Sequence, residues 1–379
     1  MKLMHLSDLH LGKRLHEFSM LEDQESILKQ ITQIAIREKI DGIMIAGDIY
    51  DKQVPPTAAV LMFDRFLTGI SDAGIAIYII AGNHDSPERL SFGGRLMKER
   101  NVHIAPVFQG KIFPVTVNDA YGPLHIFMLP FVKPAYVKSF YPEAEIADYT
   151  DAVRCVVEDM EISPGERNIL MAHQFVAGSS RCESEEIAVG GLDAVEISCM
   201  LGFDYVALGH LHGPQCVHGK ENIRYCGSPL KYSFSEVHQK KKVLILELKE
   251  KGDVSIEEIA LMPRYGMEQI RGTYDELVTR EFYSKCDRQG YIQAVLTDEE
   301  EIPEAFGKLR TVYPRICSLT YANRTTEIED AFREKAGREK TPFEYFEELF
   351  RIQNHREMSR EQSEFLHALM ERIWEEGDS

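Results

Sequence analysis

A short apolar run that ends in a polar step of Gly, Asp, Asn or His recurs five times in the first 212 residues of this 379-residue chain. No other feature constrains the fold as much. Lys2–Leu6 precedes Ser7-Asp8, Asp41–Ala46 precedes Gly47-Asp48, and Ile75–Ile80 precedes Gly82-Asn83-His84-Asp85. Ile169–Met171 then precedes Ala172-His173, and Tyr205–Leu208 precedes Gly209-His210. Between the first runs, Ile27, Leu28, Ile31, Ile34 and Ala35 recur at helical spacing over 23–38, and 57–70 also reads as helix. Strand, loop with a polar ligand, then helix is the rhythm of an α/β fold that carries its functional groups at the carboxyl ends of strands. The spacing therefore predicts an α/β fold with its polar loops at the carboxyl ends of successive strands.

Beyond residue 224 the pattern changes twice. The string TyrCysGlySerProLeuLysTyrSerPheSerGlu (225–236) leads into the basic run His238–Lys242 and a strand over Val243–Leu248. From Met267 to Tyr321 the order strand, helix, strand, helix, strand predicts a small α/β module. The tail from Thr326 is charged and helical in composition, with aromatic residues at Phe343, Tyr345, Phe346 and Phe350 and again from Phe365 to Trp374. The expected division is 1–264, 265–325 and 326–379.

Each motif taken singly is ambiguous. Asp8 and His10 flank Leu9, so an extended backbone would turn both side chains to one side, where two ligands face one ion. Gly47-Asp48 alone reads as a turn, although a carboxylate there is able to bridge two cations. Gly82-Asn83-His84-Asp85 sets a neutral oxygen ligand beside an imidazole, leaving His84 to point at substrate. His173 alone reads as a structural histidine, whereas Gly209-His210-Leu211-His212-Gly213, with two imidazoles between glycines, is a metal signal by itself. Their joint occurrence after successive strands decides the matter. Asp8, His10, Asp48, Asn83, His173, His210 and His212 are the expected metal ligands. Mixed nitrogen and oxygen donors without thiolate suit manganese, iron or zinc better than calcium.

Composition bounds the partners and the compartment. No apolar run approaches the ~18 residues of a membrane span, and the amino terminus lacks a signal-peptide core. Seven widely spaced cysteines with no CxxC pair predict reduced thiols and a cytoplasmic setting. A net charge of −18 opposes nucleic-acid binding through a broad basic surface. Residues 327–379, with 15 acidic and 8 basic side chains, supply −7 of it. Lys13, Arg14, Arg89 and Lys240–Lys242 remain as local cations.

These motifs resemble those of the calcineurin-like metallophosphoesterases, and the resemblance implies an α/β sandwich of two sheets packed face to face, in four α-β-β-α layers with helices outside, the ligand loops meeting at one edge. HisLeuSerAspLeuHisLeuGly, GlyAspIleTyrAsp, GlyAsnHisAspSerProGluArgLeu and GlyHisLeuHis, together with the 225–236 string, resemble more narrowly the SbcD family of nuclease subunits, over the whole chain. The resemblance implies one cation held by Asp8, His10, Asp48 and His212, a second held by Asp48, Asn83, His173 and His210, and Asp48 as the bridge. It implies His84 as the group that contacts the scissile phosphate and serves the leaving oxygen, with Asp51 orienting its imidazole. It further implies manganese-dependent exonuclease action on double-stranded DNA and endonuclease action on single strands or hairpins, in repair and recombination. The small module would be a capping domain that presents DNA, the C-terminal helices would bind an SbcC-type ATPase, and the chain would form a homodimer. Asp85 is expected to be structural and His5 to pack or lie at the surface, while His16 carries little weight as a nucleotide contact. A phosphatase or small phosphodiesterase could use the same metal pair, but the phosphatase pattern has Arg where this chain has Lys52. A non-catalytic scaffold would lack ligands, and none is missing.

Overall fold

A computed structural model describes residues 1–185, 193–322, 343, 346–347, 350–351 and 357–377. Two six-stranded sheets face each other. In spatial order the first contains Val254–Ala260, Lys242–Leu248, Lys2–Leu6, Gly42–Ala46, Ala76–Ile80 and Val102–Ala105. The second runs Gln215–Val217, Lys220–Tyr225, Tyr205–Gly209, Arg167–His173, Gly122–Leu129 and Val115–Asp119. Strand alternation assigns each side chain to a layer. Ile43 and Ile45 face the helices Leu21–Arg37 and Thr57–Asp72, whereas Met44 and Ala46 face the second sheet, and Ile77, Ile79 and Tyr78, Ile80 divide in the same way. The inter-sheet core joins Leu3, Met44, Tyr78 and Ile80 to Ile126, Ile169, Met171 and Ala207. The helix Tyr149–Glu158 covers the outer face of the second sheet through Ala152, Val153 and Val156. The four layers follow from runs that are apolar on both faces, the mark of strands buried on both sides.

The strands that feed the polar loops are parallel. Lys2–Leu6 pairs in parallel with Gly42–Ala46, that with Ala76–Ile80, and in the second sheet Arg167–His173 with Tyr205–Gly209. Their carboxyl ends therefore lie along one edge of the sandwich.

From Met267 the chain builds a separate parallel sheet of Met267–Gly272, Tyr291–Leu296 and Ile316–Tyr321, with its own core of Ile270, Leu277, Ile292, Leu296, Leu309 and Tyr313. This module docks on the first helix and on the short hairpin Arg14–Leu15/Phe18–Ser19. The Tyr291 hydroxyl donates to Asp23 Oδ2 at 2.8 Å, and Arg310 pairs with Glu17 at 2.7 Å. In the tail, Arg360–Gly377 is helical, Leu366 is buried and Phe343 stacks on His367 at 3.8 Å between ring centroids. Tyr345 and the side chain of Trp374 lie outside the described residues. Among the described residues no helix is long and apolar enough to cross a membrane.

Candidate metal centre

Each expected ligand sits at the end of one of those parallel strands, and the structure brings all seven together. Potential ligand atoms of Asp8, His10 and His212 lie within 4.8 Å of one another, as do those of Asp8, Asp48 and His173, and those of His10, Asp48 and His84. Asp48 Oδ2 is 3.3 Å from His173 Nε2 and 3.6 Å from His10 Nε2. Asn83 Oδ1 lies 3.1 Å from His173 Nε2 and 3.0 Å from His210 Nδ1. Asp48 is thus central to both halves of the cluster.

The backbone route differs from the expected one. Asp8, His10, Asp48 and His210 have φ of 53°, 42°, 51° and 102°, so the ligand loops are left-handed kinks and not extended segments with alternating sides. The kinks are held from the main chain. Asp8 N donates to Gly47 O and His10 N to Asp48 O, both at 3.0 Å, and the Asp8 carboxylate accepts from His210 N at 3.0 Å. Gly82 and Gly209 permit the loops to approach, since a Cβ at Gly82 would fall on the Asp48 carboxylate and one at Gly209 on the Ala46 carbonyl.

The donor set fits divalent cations. Asp8 and Asp48 are 0 % and 2 % exposed, and among the described residues neither pairs with a lysine or arginine. His10 Nε2 and His212 Nε2 face each other at 3.0 Å, and among the described residues buried His10 Nδ1 has no hydrogen-bond partner. Burial holds His10 well below the usual imidazole range and, with His173 nearby, drops His210 to about 3, so both are neutral donors at physiological pH. Burial raises the Asp8 carboxyl. Burial also opposes charge on Asp48, but the imidazoles of His173, His10 and His84 together outweigh it and hold Asp48 well below the carboxylate range. Burial likewise opposes charge on His173, yet Asp48 lifts it to about 9. A cation and that proton compete for the same nitrogen, because metal binding requires the neutral imidazole. His173 Nδ1–H donates to Ala46 O at 2.8 Å, which turns Nε2 toward the cluster.

His84 is half-buried at the rim, with its ring centroid 4.9 Å from that of His10. Its main-chain N–H donates to Asp48 Oδ1 at 2.9 Å, and Nδ1–H donates to the main-chain carbonyl of Asp51 at 3.0 Å. Asp51 thus meets the His84 ring through its main chain. The Asp51 carboxylate instead takes Lys13 Nζ at 2.8 Å. Asp85 accepts from Ile49, Tyr50 and Gly82 N–H groups at 3.1, 3.0 and 2.9 Å and ties two ligand loops together. His5 is fully buried, donating from Nε2 to Leu208 O at 3.2 Å and accepting at Nδ1 from Tyr205 at 3.0 Å. His16 is exposed, 6.3 Å from the Phe234 ring.

Several supporting residues carry no signal in the sequence motifs. Gln24, on the first helix, donates to His10 O at 2.7 Å and accepts from Gly12 N at 2.9 Å. Glu185 accepts from His212 N at 2.6 Å. The 225–236 string wraps the His212 loop: Gly227 has φ 79° where a Cβ would meet the His212 carbonyl, Ser228 N donates to that carbonyl at 3.2 Å, and Tyr232 OH donates to Leu9 O. Glu236 ends the string with 0 % exposure beside Lys241 Nζ at 2.6 Å. Lys241, expected among the cations available to DNA, is buried and committed here, and Lys242 pairs with Glu258 at 2.5 Å. Only the polar residues within a mostly apolar string hint at this role.

Residues 1–214 match the calcineurin-like phosphoesterase family, and residues 263–354 match a family described as the type 5 capsule protein repressor C-terminal domain. The chain is 32% identical over 324 residues to the SbcD subunit of the nuclease SbcCD from Staphylococcus epidermidis, covering 84% of this chain and 85% of that one. Among solved structures it is similar to a dimetal phosphatase from Danio rerio, at a TM-score of 0.40 and 10% identity over 69% of this chain and 96% of that one. A protein of Thermus thermophilus gives a TM-score of 0.38 and 12% identity over 68% and 98%.

Proposed function

Because the chain belongs to the SbcD family of calcineurin-like phosphoesterases, and is thereby a metal-dependent phosphodiester hydrolase, we propose that it is the DNA-cleaving subunit of a complex with an SbcC-type ATPase. The observation that carries this reading is the buried donor cluster centred on Asp48, with His84 at its rim. In this reading Asp8, His10, Asp48 and His212 hold one ion, and Asp48, Asn83, His173 and His210 hold the other, manganese in preference to magnesium. When bound, such an ion pair supplies a water nucleophile at neutral pH and neutralises charge in an in-line displacement. His84 then meets the scissile phosphate and hands a proton to the leaving oxygen, a role worth ~10²–10⁴-fold in rate. The Asp51 main chain holds the ring in place. Ends of duplex DNA are cleaved exonucleolytically, and single strands and hairpins endonucleolytically.

The same reading divides the chain into a nuclease domain of 1–264, a capping domain of 265–325 that presents DNA, and an ATPase-binding region of 326–379. The separate core beneath Tyr291–Leu296 supports the second unit, and exposed Phe346 and Phe365 support the third. Val60 and Leu61 on the second long helix, with Phe92 and Leu96 after it, are exposed apolar residues that support a homodimer, which sedimentation velocity reads directly. Seven unpaired cysteines suit a cytoplasmic setting.

The test incubates the purified chain with end-labelled duplex DNA in manganese, magnesium or EDTA, beside a His84→Ala variant. The expected result is manganese-dependent degradation, lost by ~10²–10⁴-fold in the variant while both ions stay bound. Intact DNA beside hydrolysis of a phosphopeptide or cyclic nucleotide would replace the nuclease reading with a phosphatase.

A further inference from the structure

We infer that Ser184, Glu236 and Lys241 form a relay that fixes the proton of His212 on Nδ1, so that Nε2 presents its lone pair to one of the two cations. The relay rests on the proposal that His212 is a metal ligand. Counting protons establishes its direction. Ser184 Oγ lies 2.8 Å from His212 Nδ1 and donates to Glu236 Oε1 at 2.6 Å. A hydroxyl has one proton, and this one is spent on the carboxylate, so the serine oxygen accepts from Nδ1–H.

The carboxylate is kept an acceptor by its other contacts. Lys241 Nζ donates to Glu236 Oε2 at 2.6 Å, and Tyr232 N donates to Oε1 at 3.2 Å. Lys241 also donates to the His212 carbonyl at 2.8 Å, which ties the ammonium to both the acid and the loop it serves. Glu236 is 0 % exposed and Lys241 6 %. A buried ion pair of this kind is weak evidence for stability, because desolvation offsets most of its attraction. A role in orienting a ligand accounts for its presence.

Among the described residues the relay reaches one imidazole. His173 is set by the Ala46 carbonyl, and His10 Nδ1 has no hydrogen-bond partner among the described residues. Outer partners of ligating histidines typically change metal affinity 10–100-fold. That loss should fall on the ion shared by Asp8, His10, Asp48 and His212, and leave the other untouched. A general weakening of the fold would not discriminate between them.

Manganese titration of the full chain, followed by electron paramagnetic resonance of free ion, reads the two affinities. In Ser184→Ala and Glu236→Gln one of two sites is expected to weaken by about 10–100-fold, while Ser184→Thr, which keeps the hydroxyl, binds like wild type. Imidazole ¹⁵N spectra of the zinc-loaded protein are expected to show His212 protonated at Nδ1, and to lose that signature in Ser184→Ala. His212→Ala separates the ligand assignment from the relay. If it binds two ions at full affinity, the ligand assignment falls. If it loses one ion while Ser184→Ala and Glu236→Gln bind as wild type, the relay falls, as it does if both sites weaken equally.

Discussion

At Asp8, His10, Asp48 and His210 a side chain other than glycine occupies left-handed backbone, each at a cost on the order of 1–3 kcal/mol. Such strain persists where the surroundings over-determine it, and here hydrogen bonds between neighbouring loops do so. The residue types were legible in the sequence, because seven metal-binding side chains rarely fall after five strands by chance. The way they converge was not. An AspXHis triplet looks the same whether its backbone is extended or kinked, and only the neighbouring loop, through Gly47 O and Asp48 O, holds the kink. Gly82 is the sharpest test, since its φ is ordinary and its lack of a Cβ is a matter of space alone. Gly82→Ala is expected to cost about 1–3 kcal/mol in urea unfolding and to release metal. An Ala variant that holds both ions at wild-type affinity would show that the Asp48 carboxylate is free to shift.

Elements that feed the centre announced themselves through apolar runs with a polar end. The Val115–Asp119 and Gly122–Leu129 strands did not, for physical reasons. The first is an edge strand with half-exposed alternate positions, and the second begins with Gly122-Pro123 and ends without a ligand. The small module was legible from its alternation, but its anchorage was not, because Asp23 gives no sign in a helix of being a partner for Tyr291, 268 residues away. Asp23 is 1 % exposed, and burial raises its carboxyl while the tyrosine hydroxyl and the Tyr265 N–H stabilise the charge. Tyr291→Phe strands that carboxylate oxygen, with an expected loss of about 1–3 kcal/mol in docking. Limited proteolysis of the 261–266 connection should accelerate by about tenfold or more, and unchanged cleavage would mean that the Arg310–Glu17 pair and apolar contacts hold the module alone.

For the molecule as a whole, charge is the deciding quantity. Of the cations that the sequence offered for DNA, Lys241 is buried, Lys242 faces Glu258, and Lys13 is shared with Asp51, which leaves Arg14, Arg89 and Lys240 exposed. With about three phosphates neutralised, the slope of log affinity against log salt for the isolated chain is expected to stay near −3 or shallower, and to steepen in complex with the proposed ATPase partner. Equal slopes would place the main DNA contacts on this chain after all. The order of strands has a further consequence, which concerns synthesis. Lys2–Leu6 lies inside the first sheet between Gly42–Ala46 and Lys242–Leu248, so one flank of that strand stays bare until a segment some 240 residues later leaves the ribosome. At ordinary elongation rates that wait is roughly 10–50 seconds. An unpaired apolar strand edge invites pairing with other chains, so the nascent protein is most exposed to misassociation before its second half exists.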